Sequence, residues 1–231
     1  VRSAKCPFRK PLRAARGVGA LFYPAVQHTP CEPLCRVTIW QDWLAMTTLI
    51  PLSLIAMSKA DITIRKAVPG DGEALALIGA ASFLESYAGV VDGAGIIRHC
   101  ATKHTPAVYE AALADPAQGL WLAGMAPGAA PVGYLHLAEP DLPFPVAAGD
   151  IEIKRIYVLS RLHGSGLGRR LMETALAHAR EAGRRQLLLG VYKGNARALA
   201  FYGRMGFEAI GERSFDVGGK VYDDWIMGRA V

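Results

Sequence analysis

From residue 61 onward the spacing of apolar residues changes period repeatedly, and each change predicts an element. Asp61-Ile-Thr-Ile-Arg-Lys-Ala67 alternates as a strand, and Pro69-Gly-Asp71 turns into a helix over 71–81. Residues 82–104 are irregular apart from a short helix near 93–101, and Thr105-Pro106 opens a helix that runs to Ala114. Strands over 119–126 and 132–139 flank a Pro/Gly/Ala turn, and 140–149 is a loop. A strand over 151–158, a helix over 167–182, a strand over 186–192, a short helix after Asn195 and strands over 207–215 and 220–229 complete the chain. The long helix carries Leu167, Leu171, Ala175 and Ala179 at fourfold spacing, and Gly183 ends it. Strands interleaved with helices, without internal repeats, predict an α/β fold around a mixed sheet, parallel where a helix separates paired strands.

One strand breaks the simple pattern. Ile151 and Ile153 are apolar at odd positions, whereas Ile156 and Val158 are apolar at even ones. A strictly alternating strand cannot place both pairs on one face, so both faces are buried or an extra residue shifts the phase; a bulge is predicted near Lys154-Arg155. The strand runs into Leu159-Ser-Arg-Leu-His-Gly-Ser-Gly-Leu-Gly168, a glycine-rich turn that restarts as a helix. Such a turn aims unpaired backbone amides at a phosphate. Its glycines at 164, 166 and 168 miss the G-x-G-x-x-G register, and Arg169-Arg170 stand where a P-loop needs Lys and Ser or Thr. What remains is an x-x-G-x-G turn that reads either as an ordinary strand-to-helix turn or as one in which Gly166 and Gly168 admit a pyrophosphate to the helix N-terminus.

Downstream, Asn195-Ala-Arg-Ala-Leu-Ala-Phe-Tyr202 reads as a helix capped by Asn195, with Gly206 just past its end. Seven residues put Asn195 and Tyr202 near one face, roughly 10 Å apart along the axis. Asn195 reads as a plain cap or as a grip on a cofactor arm, and Tyr202 as core filling or as the group at the cofactor's reactive end.

Together, the succession V-x-x-x-x-H-G-S-G-L-G and N-A-R-A-L-A-F-Y-x-x-x-G-F resembles the GCN5-related N-acetyltransferases (GNAT), over residues 61–230. The resemblance implies a mixed, mostly antiparallel sheet flanked by helices, with a splayed central pair of parallel strands. It implies acetyl-CoA as cosubstrate and no metal. Cofactor contacts would come from Ile156, Tyr157 and Val158, from the turn His163, Gly164, Ser165, Gly166, Leu167, Gly168 and Arg169, and from Asn195 and Tyr202. His163 departs from the family's usual Gln or Arg, so amide-mediated binding is expected at that position. The stretches E-I-K-R-I-Y-V, G-V-Y-x-x-N and S-F-x-x-G further resemble polyamine N-acetyltransferases of the PaiA type.

The chemistry sets two further needs. An alkyl ammonium with pKa near 10.4 must lose a proton before attack, which costs about 4.6 kcal/mol at pH 7. Glu152, eleven residues before His163, stands where some family members place a general base, or else it is a strand-edge charge paired with Lys154 or Arg155. Tyr202 matches the family's tyrosine that protonates the departing thiolate, and a phenol with pKa ~10 still holds its proton at pH 7. The resemblance places the acceptor at Phe83, Glu85, Tyr87 and the 214–224 turn, where Glu85, Asp216, Asp223 and Asp224 either receive a polycation or are solvated surface charges. A small amine, spermidine or spermine, is the expected acceptor. A protein or peptide amine and a non-catalytic acetyl-CoA sensor remain the alternatives.

Composition narrows the partners. The chain has 231 residues and formal charge +6, but residues 1–57 hold seven basic and two acidic residues, leaving +1 for the rest. A nearly neutral domain has no electrostatic footprint for nucleic acid. Residues 43–58 are uncharged but number only sixteen and contain Pro51, short for a membrane span of about 20 residues. Because the chain begins with Val and Met57-Ser-Lys-Ala-Asp immediately precedes the first strand, residues 1–57 are expected to be a disordered extension or a mis-assigned start; a membrane-associated helix is the other reading. Residues 58–231 are expected to be the acetyltransferase domain, with no membrane partner. Cys6, Cys31 and Cys35 lack a second zinc-spaced pair, and the solitary Cys100 fits a reducing cytoplasm. Dimers are common in the family, so a homodimer is among the expected partners.

Overall fold

A computed structural model describes residues 61–217 and 219–231; the expectations for residues 1–57 lie outside it. The element order is β1 (Ile62–Lys66), α1 (Gly72–Tyr87), α2 (Gly93–Lys103), α3 (Pro106–Ala114), β2 (Gly119–Met125), β3 (Ala130–Ala138), β4 (Asp150–Val158), α4 (Leu167–Glu181), β5 (Gln186–Tyr192), α5 (Ala196–Arg204), β6 (Glu208–Val217) and β7 (Lys220–Ala230). The seven strands form one sheet in the order β1-β2-β3-β4-β5-β7-β6, antiparallel throughout except for the β4–β5 pair. The single parallel pair is the one bridged by α4, as a right-length helical crossover requires.

Each face of the sheet buries its own core. On one face α4 lays Leu167, Leu171, Met172, Ala175, Leu176 and Ala179 against Ile151, Ile153, Leu187 and Leu189. On the other, α1 and α3 supply Leu75, Ile78, Tyr109 and Ala112 against Leu120, Leu122 and Tyr134. The small residues Ala175 and Ala179 sit fully buried, which lets α4 approach the strands closely.

The largest difference from the periodicity reading is in α1, which continues through Tyr87 rather than ending at 81. Leu75, Ile78, Gly79, Ser82 and Phe83 are all buried at helical spacing. Polar Ser82 and Ser86 disguise this pattern, but their hydroxyls donate back to the Gly79 and Ser82 carbonyls at 3.2 and 2.7 Å, so the helix continues with its polar groups satisfied. The helix ends at Ala88, whose extended backbone leads into Gly89 at φ 86°.

Candidate active site

β4 and β5 pair only at their starts, through Asp150, Ile151 and Glu152 against Gln186, Leu187 and Leu188. Beyond this point β4 stays paired to β3 as far as Val158, while β5 stays paired to β7 as far as Tyr192. The two central strands therefore diverge, and from Ile153 onward β4 presents an open edge of backbone groups. The phase shift lies where parity places it. His136 faces Arg155 and Leu137 faces Ile153, so Lys154 is the extra residue, and Ile151, Ile153, Ile156 and Val158 all join the α4-side core.

A cavity of about 1120 Å³ fills the gap between the strands and runs to the glycine turn. Ile156, Tyr157, Val158, His163, Gly164, Gly166, Gly168, Arg169, Asn195 and Tyr202 line it. Ser165 and Leu167 do not: the Ser165 hydroxyl accepts the Leu167 N–H at 3.3 Å, and Leu167 is buried in the core. Gly166 caps α4 with φ 87°, a left-handed conformation that its lack of a side chain allows. A Cβ on Gly168 would meet only Phe201 carbons, at 3.8 Å, so this glycine keeps space open rather than relieving a backbone clash.

Asn195 caps α5, its Oδ1 accepting the Ala198 N–H at 3.1 Å, while its residue still borders the cavity. His163 is not free to meet an anion through its ring. Its Nε2–H donates to the Val158 carbonyl at 3.1 Å and its Nδ1 accepts from Arg197, so the imidazole ties the end of β4 to a cavity-lining guanidinium.

Tyr202 is half-buried beside the cavity, and Tyr157 and Tyr87 share that space. Burial, then the neighbouring Tyr157 phenol, raises the Tyr202 pKa well above that of a free phenol. Tyr157 is raised by burial, and Tyr87 chiefly by Tyr157 beside it and then by burial. All three phenols therefore retain their protons at neutral pH.

Glu152 lies outside the cavity lining. It is buried, accepts the Asp141 N–H at 2.9 Å and pairs with Lys154 at 2.8 Å. Of the described acceptor-side residues, only Tyr87 borders the cavity. Phe83 is buried against His99, with ring centroids 4.0 Å apart. Exposed Glu85 accepts the Ser160 N–H at 2.7 Å, pinning α1 to the turn after β4. Asp216 accepts the Gly219 N–H at 3.1 Å, and buried Asp224 pairs with Arg213 at 3.0 Å.

Residues 94–207 match the acetyltransferase (GNAT) family. A 5-NmdU N-acetyltransferase of Pseudomonas phage PaMx11 is 33% identical over 101 residues, 40% of this chain and 70% of the relative. The chain belongs to the GNAT family. An uncharacterized N-acetyltransferase of Mycobacterium tuberculosis is 35% identical over 100 residues, 43% of this chain and 60% of the relative, so the match spans less than two thirds of that relative. The fold agrees with a PaiA N-acetyltransferase of Thermoplasma acidophilum solved with coenzyme A, at TM-score 0.60 and 21% identity over 74% of this chain and 99% of that one. A GNAT acetyltransferase of Streptococcus pneumoniae agrees similarly, at TM-score 0.55 and 24% identity over 74% and 99%.

Within this GNAT frame, sequence reasoning missed Lys154, Arg155 and Arg197 as cavity residues. Arg197 was accessible, since it lies two residues after the helix-capping Asn195 on the first turn of α5. Lys154 is the bulged residue and Arg155 follows it, and a bulge redirects side chains; the pattern located the bulge without saying where those chains would point.

Proposed function

We propose that this protein transfers an acetyl group from acetyl-CoA to a small primary amine by direct attack in a ternary complex. The observation that carries the reading is the open edge of β4, facing a cavity that ends at the glycine turn on one side and borders Tyr202 on the other. The residues present fit the cofactor. Free backbone groups along Ile156–Val158 suit the amides of a pantetheine arm, and amides at the N-terminus of α4 suit a pyrophosphate. Arg169 and Arg197 add positive charge beside that turn. When bound, acetyl-CoA supplies an acetyl group activated as a thioester.

The chain's own residues then manage protons. The Tyr202 hydroxyl donates to the departing thiolate, a role its raised pKa keeps available at neutral pH. Glu152 takes the proton from the ammonium through water, since its carboxylate does not border the cavity. Spermidine or spermine is the acceptor that the PaiA likeness taken alone would suggest. Its support is limited to carboxylates that already have partners, Glu85 with Ser160, Asp216 with Gly219 and Asp224 with Arg213, leaving Asp223 to offer charge at the surface.

Release of free thiol from acetyl-CoA by purified protein, with a panel of polyamines, amino acids and peptides, tests the reading. Amine-dependent thiol release with a matching N-acetyl product is expected. Tight binding of coenzyme A without release from any amine would establish an acetyl-CoA sensor instead.

A further inference from the structure

Arg155 is a half-buried guanidinium that borders the cavity and belongs to no ion pair among the described residues. A charge in such a place is ordinarily compensated. Its direct hydrogen-bond partner is instead a neutral imidazole held in place by further bonds. One N–H donates to His136 Nδ1 at 3.3 Å, His136 Nε2–H donates to Gln118 Oε1 at 2.6 Å, and Gln118 Nε2 donates to Asp115 Oδ2 at 2.9 Å. The guanidinium also lies over the Tyr109 ring, 5.7 Å from its centroid. His136 is 6% exposed and uses one nitrogen to accept and the other to donate, so this chain holds the imidazole in a single neutral tautomer.

The chain accounts for one of the five guanidinium donors. Arg155 sits on the sheet face covered by α1 and α3, as does Tyr157, whose ring stacks on Tyr134 at 5.9 Å. The glycine turn belongs to α4, which covers the opposite face, so a diphosphate there is not the natural partner of Arg155.

We propose that the acceptor amine of this site carries a carboxylate, and that Arg155 receives it. The inference rests on the transferase reading above and names its substrate class. A planar fork of donors matches a carboxylate in two-point contact, whereas an ammonium chain would meet Arg155 and Lys154 as like charges. The His136–Gln118–Asp115 chain, buried at His136, acts through Arg155 by fixing its orientation.

The test compares glycine, β-alanine and 4-aminobutyrate with glycinamide and with spermidine as acceptors for wild type, Arg155→Gln and Arg155→Lys. Wild type is expected to favour the best carboxylated amine over its competitors by roughly tenfold or more in kcat/KM, the scale of one charge-assisted contact. That ratio should approach one in Arg155→Gln and be partly kept in Arg155→Lys, with coenzyme A affinity unchanged in both. Preference for spermidine or glycinamide, or a ratio insensitive to Arg155, would overturn the proposal while leaving the transferase reading intact. If no amine releases thiol, the transferase reading fails, and calorimetry on the coenzyme A complex decides this inference separately. N-acetylglycine should then bind wild type more tightly than N-acetylglycinamide and lose that advantage in Arg155→Gln; equal binding would sink it. Should Arg155→Gln not fold, the comparison of charged and amide ligands in wild type and Arg155→Lys still decides.

Discussion

His163 bridges the Val158 carbonyl and Arg197, joining the end of β4 to the first turn of α5 along the cavity lining. The ring thus acts on an anion through Arg197 rather than by contact. His163→Ala and Arg197→Ala should each weaken coenzyme A binding about three- to tenfold, the range of one lost charge-assisted contact near the surface. The double variant should bind no worse than Arg197→Ala, because the two residues work as one unit. Calorimetric titration of all four proteins checks this, and additive losses would contradict the bridging role.

Tyr202→Phe should lower kcat by about a hundredfold or more, the scale of general acid catalysis, with little change in the affinity for acetyl-CoA. The pH dependence separates an acid from a packing residue. Burial and Tyr157 raise the folded-state pKa of Tyr202, so the phenol stays protonated as pH rises through the free-phenol value near 10. Activity limited by this acid should therefore show no falling limb up to about pH 10. Retention of full kcat in Tyr202→Phe would remove the acid role.

Most of the framework was legible because each element has its own period. The parity change between Ile153 and Ile156 located the β4 bulge, and the glycine register excluded two nucleotide-binding loops before any geometry was known. What escaped notice depends on contacts between distant segments. The chain Arg155–His136–Gln118–Asp115 draws on β4, β3 and the approach to β2, and nothing local to any of these residues announces the others. Glu152 illustrates the opposite limit: its spacing to His163 suggests a base, yet Lys154 and the Asp141 amide already occupy its carboxylate. Local pattern offered both the base and the pairing with Lys154 but could not decide between them.

The protein should lose stability on mild acidification. Burial, followed by the charge of Arg155, pushes His104 down to about 3, and the same causes in the same order push His136 down to about 3. The unfolded chain binds protons at both near pH 6.5 while the folded chain does not. Their contribution is therefore complete above about pH 6.5 and is lost as pH falls toward 3, at about 2 kcal/mol each by pH 5. His99, lowered to about 4 mainly by burial, acts in the same direction, and Asp224, raised by burial, acts in the opposite one. Urea unfolding at pH 7 and pH 5 should show a lower midpoint at pH 5. His104→Gln should flatten the dependence, and equal midpoints in wild type would refute it.

Gly79 makes room for the His104–Tyr109 hydrogen bond, at 2.8 Å between Nδ1 and the hydroxyl. A Cβ at this helical position would overlap both of those atoms. Tyr109 is fully buried, its hydroxyl also donates to Tyr134 at 3.2 Å, and His104 is 6% exposed, so neither ring can withdraw cheaply. Helix propensity alone favours Ala over Gly by about 1 kcal/mol. Overpacking should reverse that sign, and Gly79→Ala should destabilise by about 1–3 kcal/mol in denaturant unfolding. A stabilised variant would mean that the seam between α1 and α3 is looser than these contacts imply.

Glu152→Gln separates proton transfer from structure through the pH dependence. The substitution keeps the side chain's size and leaves Lys154 only the exposed Asp141 carboxylate, 3.7 Å away, as an ionic partner. If Glu152 accepts the amine's proton, kcat/KM at pH 7 should fall about a hundredfold or more. The loss should shrink as pH approaches the acceptor's own pKa near 10, because the amine then arrives already neutral. If the residue only anchors the 141 loop to β4, the defect should instead appear as lower stability with a loss of activity that is the same at every pH. A pH-independent defect in kcat/KM would therefore reassign the base, and deprotonation before binding would carry the cost of about 4.6 kcal/mol at pH 7.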